Sequence, residues 1–276
     1  MGHRMGIAAC MAAGLLFVTG CGTSTDSTGT STQSTSPGAE PAYAAALRPV
    51  ITTLMKDNVI PGAVVVVKSP KQGNWTAAFG TRTIDSNEPM TVDDYFRVGS
   101  NTKTMTSTVI LQLAQDGKLS LDDPIDKYWP GVPNGDQITI AQLNEMRSGL
   151  YSYTFDPQFN AALDNEPQKV WTPEELLAIA FAHPVNFQPG EKFEYSNTNF
   201  ILLGLVIEKL TKTTAAESFQ KRIFEPLSLK HTSLPAATDS SIPNPHPRAM
   251  PSAPTFPPST PTLFLPRNKP RPSRAH

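Results

Sequence analysis

The apolar and polar positions near the start of the folded part, close to Pro41, predict a helix followed by a hairpin. Apolar residues recur at helical spacing from Leu47 to Met55, which predicts a helix with one apolar stripe. The β-branched run 62–67 and the shorter run 75–79 predict two strands joined by a tight turn. Such strands pair antiparallel, so the helix is available to cover one face of the hairpin.

Helical patterns dominate the middle of the chain. One helix is predicted from Ser100 to about Gln115, with Gly117 as its stop, and a second spans roughly 199–210. Between them, Thr139 with Gln142 and Thr172 with Glu175 have the spacing of capping boxes, which predicts short helices at 139 and 172. An antiparallel hairpin followed by helices indicates an α+β domain over residues 41–240.

The amino-terminal segment, residues 1–20, has the pattern of a signal peptide, with a basic start and an apolar run of roughly a dozen residues. It ends in Val18-Thr19-Gly20-Cys21, which resembles the lipobox of bacterial lipoproteins. That resemblance implies lipidation of Cys21 and a protein exported and anchored to the cell membrane, facing the periplasm or cell wall. An ordinary cleavage site with a chance cysteine is the alternative. Residues 21–40 are rich in Ser and Thr and predict a flexible linker.

Residues 241–276 differ in composition from the predicted domain. Eleven of the 35 positions from 242 to 276 are proline and none is acidic, although the whole chain has a net charge of only −1. Proline at this density removes backbone donors, which predicts a disordered or polyproline-like tail. The near-neutral balance gives no electrostatic reason to expect a nucleic-acid partner.

The first candidate for chemistry is the Ser-x-x-Lys tetrad from Ser100 to Lys103, at the start of a predicted helix. Three residues along a helix bring two side chains to one face, so the amine can act as a base for the hydroxyl. Because such a tetrad also arises by chance, a helix-capping serine is the alternative. A second copy from Ser218 to Lys221 lacks the preceding glycine and turn.

The second candidate is Tyr195-Ser196-Asn197, the only Tyr-x-Asn in the chain. A tyrosine near a lysine ammonium loses its proton more easily and can then act as a base or an acid. The Asn197 amide can hold a substrate amide and can also cap the following helix, because the two roles are not exclusive.

Taken together, these motifs resemble the group of class C β-lactamases, D-Ala-D-Ala carboxypeptidases and related esterases. The resemblance rests on the following stretches: Phe96-Arg97-Val98-Gly99-Ser100-Asn101-Thr102-Lys103, the run 117–124, Ile138-Thr139-Ile140, Ser148-Gly149-Leu150 and Phe193-Glu194-Tyr195-Ser196-Asn197.

The resemblance implies a β-lactamase/penicillin-binding-protein-like fold, with an antiparallel sheet flanked by helices plus a helical region. It also implies an acyl-enzyme on Ser100, proton transfer shared by Lys103 and Tyr195, substrate positioning by Asn197, and no metal or organic cofactor. A D-Ala-D-Ala peptide, a β-lactam or an ester is the expected substrate, and the protein is expected to be a monomer.

The chain departs from this family at its carboxyl end. The family's third motif, Lys or His followed by Thr or Ser and then Gly, is absent from the sequence, so we expect an incomplete sheet. We hypothesise that a frameshift or truncation replaced this part; a natural proline-rich extension is the alternative. Sequencing the coding DNA beyond codon 240 distinguishes them, because a frameshift leaves the motif in another reading frame.

Three other functional classes are compared with the sequence. A non-catalytic lipoprotein that binds penicillin or peptidoglycan agrees with the missing third motif. A Ser-His-Asp hydrolase is disfavoured, because there is no Gly-x-Ser-x-Gly elbow and no setting marks His183, His231 or His246 as a base. Zinc chemistry lacks a His-Glu-x-x-His or paired-cysteine spacing.

Overall fold

The computed structural model describes residues 40–84 and 86–248. The predicted signal peptide, Cys21, nearly all of the linker and residues 249–276 lie outside the described residues, so those predictions stay predictions. Within the described ranges, no helix combines the length and the apolar character needed to cross a membrane.

The predicted helix and hairpin are confirmed. Helix α1 covers Ala42–Asp57, and strands β1 (Gly62–Val67) and β2 (Trp75–Gly80) pair antiparallel with Gly62 opposite Gly80. Ala44 of α1 packs against the buried side chains of Trp75 and Ala77, which forms a small core of its own.

The sheet contains only β1 and β2 in the part of the chain that the structure describes. In consequence, the apolar stripe predicted for α1 is buried only in part: Leu47 and Ile51 pack against the hairpin, whereas Val50 and Leu54 are more than half exposed. The periodicity predicted the helix correctly, but the hairpin is too narrow to cover its whole apolar side.

The remaining helices are α2 (Thr102–Gln115), α3 (Ile140–Asn144), α4 (Pro157–Asn165), α5 (Pro173–Phe181), α6 (Asn197–Thr211) and α7 (Ala215–Phe219). Both predicted capping boxes are confirmed, at the starts of α3 and α5, and Thr214 with Glu217 forms a third at α7. Gly117 follows α2 with a φ of +68°, as expected for a glycine that ends a helix. Together with the antiparallel hairpin, these helices confirm the α+β class.

Helices α2 and α6 form the centre of the large core. The buried side chains of Val109, Ile110 and Leu113 on α2 belong to the same cluster as those of Leu202 and Val206 on α6. Burial of aliphatic side chains is the main favourable contribution to this contact, at roughly 1.5–3 kcal/mol for each. The packing brings the first turns of the two helices together.

The stretch 146–150 fixes the segment that precedes α6. Its backbone oxygens accept hydrogen bonds from the N–H groups of Asn186, Gly190 and Glu194. Gly149 has a φ of +78°, and a Cβ at this position would lie 2.0 Å from the Phe187 carbonyl oxygen, so only glycine fits. This predicted family motif therefore has a structural role.

The carboxyl-terminal residues up to 248 lie along the segment that precedes Ser100. The Tyr95 hydroxyl and His231 Nδ1 are 2.8 Å apart, the Tyr95 N–H donates to the Pro245 oxygen, and Arg97 donates to the Ser240 oxygen. Residues 241–248 belong to the predicted disordered or polyproline-like tail, but the hydrogen bond between Tyr95 and Pro245 joins them to the folded part of the chain.

Candidate active site

Ser100 lies in a single 3₁₀ turn, Gly99–Asn101, directly before α2. Gly99 has a φ of +51° with open space around its missing Cβ, so the backbone conformation rather than crowding requires glycine here. The turn leaves Ser100 exposed to solvent. Ser100 does not cap α2: the cap position belongs to Asn101, and no side chain makes a capping hydrogen bond there.

Lys103 connects the tetrad to the second motif. Its Nζ donates to Ser100 Oγ at 3.2 Å and to Asn197 Oδ1 at 2.6 Å. The ammonium also lies 4.9 Å from the centre of the Tyr195 ring and 5.5 Å from that of Phe200, within the range of cation–π attraction. These contacts leave the Lys103 side chain one well-defined position beside the nucleophile.

Tyr195 contacts the nucleophile from the other side, with its Oη 2.7 Å from Ser100 Oγ. Burial raises the pKa of Tyr195, whereas the hydrogen bonds with Lys103 and Ser100 and the charge of the ammonium lower it. The lowering effects prevail, so the pKa of Tyr195 lies below its ordinary value of 10.0. A tyrosine of this kind holds more phenolate near neutral pH, which is the form that can accept a proton.

Asn197 is the first residue of α6, and the predicted capping role is wrong, because the cap position belongs to Ser196 and carries no side-chain capping bond. Both ends of the amide are engaged within the protein: Oδ1 accepts from Lys103, and Nδ2 donates to Thr154 Oγ1 at 3.0 Å. The substrate-binding role stays a prediction, since in this structure the amide holds Lys103.

The second Ser-x-x-Lys tetrad is different. Ser218 is 3% exposed, and its Oγ is hydrogen-bonded to the hydroxyls of Thr211 and Thr213. A serine buried in this way cannot reach a substrate, which agrees with the choice of Ser100.

The described residues contain no serine–histidine pair of the kind that a Ser-His-Asp hydrolase uses. His183 pairs with Asp156 at 3.0 Å and stacks on Tyr151, but no serine hydroxyl there is hydrogen-bonded to a histidine. The same residues contain no group of three or more His, Cys, Asp or Glu side chains arranged to hold a metal ion.

Three residues of the site were not predicted from the sequence. Ser152 and Thr154 contact Asn197, and Phe200 contacts Lys103. Phe200 was open to prediction, because it follows Asn197 by three positions on one helix face. Ser152 and Thr154 lie on a loop, and no periodic pattern in the sequence predicts that this loop packs beside α6.

The chain is similar to a known protein family and to individual curated proteins. The profile of the family described as Beta-lactamase matches residues 47–261, and so runs past residue 240, the predicted end of the domain. Among curated proteins, "Protein flp" of Staphylococcus aureus strain MW2 is 32% identical over 178 residues, which cover 63% of this chain. Those residues correspond to only 34% of that protein, so the chain spans about a third of this relative.

Solved structures give the same result. A D-stereospecific amidohydrolase from Streptomyces sp. superimposes with a TM-score of 0.62 and 41% identity, over 67% of this chain and 55% of that chain. A D-amino acid amidase from Ochrobactrum anthropi SV3, complexed with L-phenylalanine, gives a TM-score of 0.61 and 30% identity, over 71% of this chain and 53% of that chain.

Proposed function

Since the chain belongs to the Beta-lactamase family of serine hydrolases, we propose that it cleaves an amide or ester bond beside a D-amino acid through an acyl-enzyme on Ser100. One observation carries the proposal: Ser100 Oγ lies within hydrogen-bond distance of both Lys103 Nζ and Tyr195 Oη. A serine hydroxyl needs a neighbouring base to become a nucleophile, and this serine has two candidates.

The chemistry follows from the direction of these hydrogen bonds. At rest both neighbours donate to Ser100 Oγ. When Tyr195 has lost its proton, its oxygen accepts the Ser100 proton while Oγ forms a bond to the substrate carbonyl carbon. The proton then passes to the leaving amine or alcohol as its bond to that carbon breaks. Water releases the acyl group, with Tyr195 and Lys103 again moving the proton.

The Ser100 N–H is available to the carbonyl oxygen in the transition state. Within the described residues it donates to no backbone acceptor, and it lies at the amino-terminal end of α2. A free N–H at a helix start stabilises a developing oxyanion, both by a hydrogen bond and through the helix dipole.

The substrate class is proposed from the neighbours' names. The amidohydrolase and the amidase described above are named for D-configured substrates. A D-Ala-D-Ala peptide, a simple D-amino acid amide, a β-lactam and an ester all present a carbonyl that Ser100 can attack. Among these, the amide or peptide of a D-amino acid agrees best with the similarity.

A second candidate is a non-catalytic lipoprotein that binds penicillin or peptidoglycan. The two-strand sheet of the described residues favours it, because the family's third-motif strand normally adds an oxyanion donor. Loss of one such donor lowers the rate on the order of a hundred- to a thousandfold.

Hydrolysis of paired substrates distinguishes the two candidates. D-phenylalanine amide, L-phenylalanine amide, a D-Ala-D-Ala peptide, a β-lactam and an ester are compared with the parent chain and with Ser100→Ala. Turnover of the D-amide above that of the L-amide, lost in Ser100→Ala, supports the hydrolase. Penicillin binding that survives in Ser100→Ala, without turnover, supports the binding protein.

We also propose that the protein is exported, carries a lipid on Cys21 and acts as a monomer. The signal pattern and the lipobox support this location. Cys21→Ser is expected to move the protein from the membrane fraction to the soluble fraction, and size-exclusion chromatography measures its assembly state. Membrane association unchanged by Cys21→Ser contradicts the anchor.

A further inference from the structure

Asn197 is hydrogen-bonded to the hydroxyl groups of Ser152 and Thr154, which belong to no sequence motif described above. Its Nδ2 donates to Thr154 Oγ1 at 3.0 Å, its backbone N–H donates to Ser152 Oγ at 3.1 Å, and the two hydroxyl oxygens are 2.9 Å apart. Side chain and main chain of Asn197 are therefore held by one hydroxyl pair.

This arrangement fixes which end of the amide faces Lys103. An ammonium only donates hydrogen bonds, so it needs the amide oxygen, and the amide NH₂ group must then find an acceptor elsewhere. Thr154 Oγ1 is that acceptor. With valine at position 154, the NH₂ group would meet a methyl group in place of this acceptor and lose its partner, which favours rotation of the side chain away from Lys103.

The hydroxyl pair is itself rigidly placed. Ser152 is 1% exposed. The backbone beside it is tied to α6 through Thr198, whose Oγ1 accepts from the Tyr153 N–H and donates to the Tyr151 oxygen. Hydrogen bonds thus join the loop directly to the first turn of α6, so a change at Ser152 or Thr154 alters the contacts of Asn197.

We propose that Ser152 and Thr154 are positioning residues: their hydroxyl groups hold the Asn197 amide with its oxygen toward Lys103, and so set the position of Lys103 against Ser100. The importance of this position for catalysis rests on the proposed function. The orientation of the amide is independent of it and can be observed without any reaction.

The test uses Thr154→Val, which keeps the shape and removes the hydroxyl, with Thr154→Ser as the matched variant that keeps it. The side-chain amide signals of Asn197 are recorded by ¹⁵N NMR and assigned by their loss in Asn197→Ala. Thr154→Val is expected to shift both amide protons, and Thr154→Ser to leave them close to the parent. Far-ultraviolet circular dichroism checks that each variant is folded.

The second readout is the rate at which a fluorophosphonate labels Ser100. Loss of one hydrogen bond predicts about a tenfold decrease for Thr154→Val and little change for Thr154→Ser. In an Asn197→Ala background, Thr154→Val is expected to have no further effect, because its influence passes through the amide. A purely structural role gives an equal decrease in both backgrounds.

The results separate the two proposals. Unchanged amide signals in a folded Thr154→Val variant overturn the positioning role, whatever the activity. If the parent is never labelled, the proposed function fails, and the NMR comparison still decides how the amide is held. Ser152→Ala is expected to act in the same direction, and equal labelling rates in Ser152→Ala, Thr154→Val and parent also overturn the role.

Discussion

Replacing Tyr195 by phenylalanine tests the proton-transfer role with the smallest change in shape. The variant loses the Oη that lies 2.7 Å from Ser100 Oγ and keeps the aromatic ring beside Lys103. A general base typically contributes a factor of 10²–10⁴ in rate. Because the Lys103 ammonium remains 3.2 Å from Ser100 Oγ, where its charge still favours the developing alkoxide, we expect the lower end, about a hundredfold, or roughly 2.7 kcal/mol.

The effect on folding is expected to be much smaller. Tyr195 is 41% exposed, and a single hydrogen bond contributes a net of about 1 kcal/mol. The variant therefore stays folded while its reaction slows. Tyr43→Phe is a matched control, since it also removes one tyrosine hydroxyl, here bonded to the Gly73 oxygen in the α1–hairpin core.

The labelling rate of Ser100 should depend on pH in the direction that the pKa of Tyr195 sets. Because the pKa of Tyr195 is lowered, its phenolate forms at a lower pH than that of an ordinary tyrosine. The labelling rate of the parent should rise with pH through this lowered pKa and then level off. Tyr195→Phe should lack that rise.

The assay follows fluorophosphonate labelling over time by intact mass, from pH 5 to pH 10. We expect Tyr43→Phe to match the parent and Tyr195→Phe to be slower by about two orders of magnitude at neutral pH. A Tyr195→Phe rate within threefold of the parent, with the same pH profile, refutes the assignment of Tyr195 as a base.

Two further predictions concern the scaffold. The Asp94 carboxylate is held by Arg82 at 2.8 Å, and the hydrogen bonds from Arg82, against the opposing effect of burial, lower its pKa to about 2. The stabilising effect of this ion pair is therefore complete above pH 4 and is lost as pH falls toward 2. Urea unfolding at pH 7 should show Asp94→Asn less stable than the parent by on the order of 3 kcal/mol. This gap in the free energy of unfolding should close in acid. A constant gap contradicts the ion pair. Gly149→Ala places a Cβ 2.0 Å from the Phe187 oxygen, whereas the Cβ of Gly99→Ala meets open space. The melting temperature of Gly149→Ala should therefore lie well below that of Gly99→Ala. An equal decrease in melting temperature for the two variants contradicts the packing argument.

Much of the fold followed from local patterns. The β-branched run 62–67, the capping boxes at Thr139 and Thr172, and the glycine at 117 each encode their structure within a few residues. Such signals depend on backbone sterics and nearby hydrogen-bond donors. They can therefore be interpreted from the sequence without knowledge of tertiary contacts.

The site was predictable where spacing or a rare motif marked it. Ser100 and Lys103 share a helix start, and Tyr195 belongs to the chain's only Tyr-x-Asn. Ser152 and Thr154 were missed because their contact with Asn197 crosses more than forty positions of sequence and arises from loop packing. The exposed half of α1 was also missed, since periodicity shows that a face is apolar but not what covers it.

The proposed function requires Ser100 to be an activated nucleophile. Intact mass after fluorophosphonate exposure tests it most directly, on the parent, Ser100→Ala and the matched variant Ser218→Ala. We expect a single adduct on the parent and on Ser218→Ala, and none on Ser100→Ala. An adduct that persists in Ser100→Ala, or a folded parent that takes none, contradicts it.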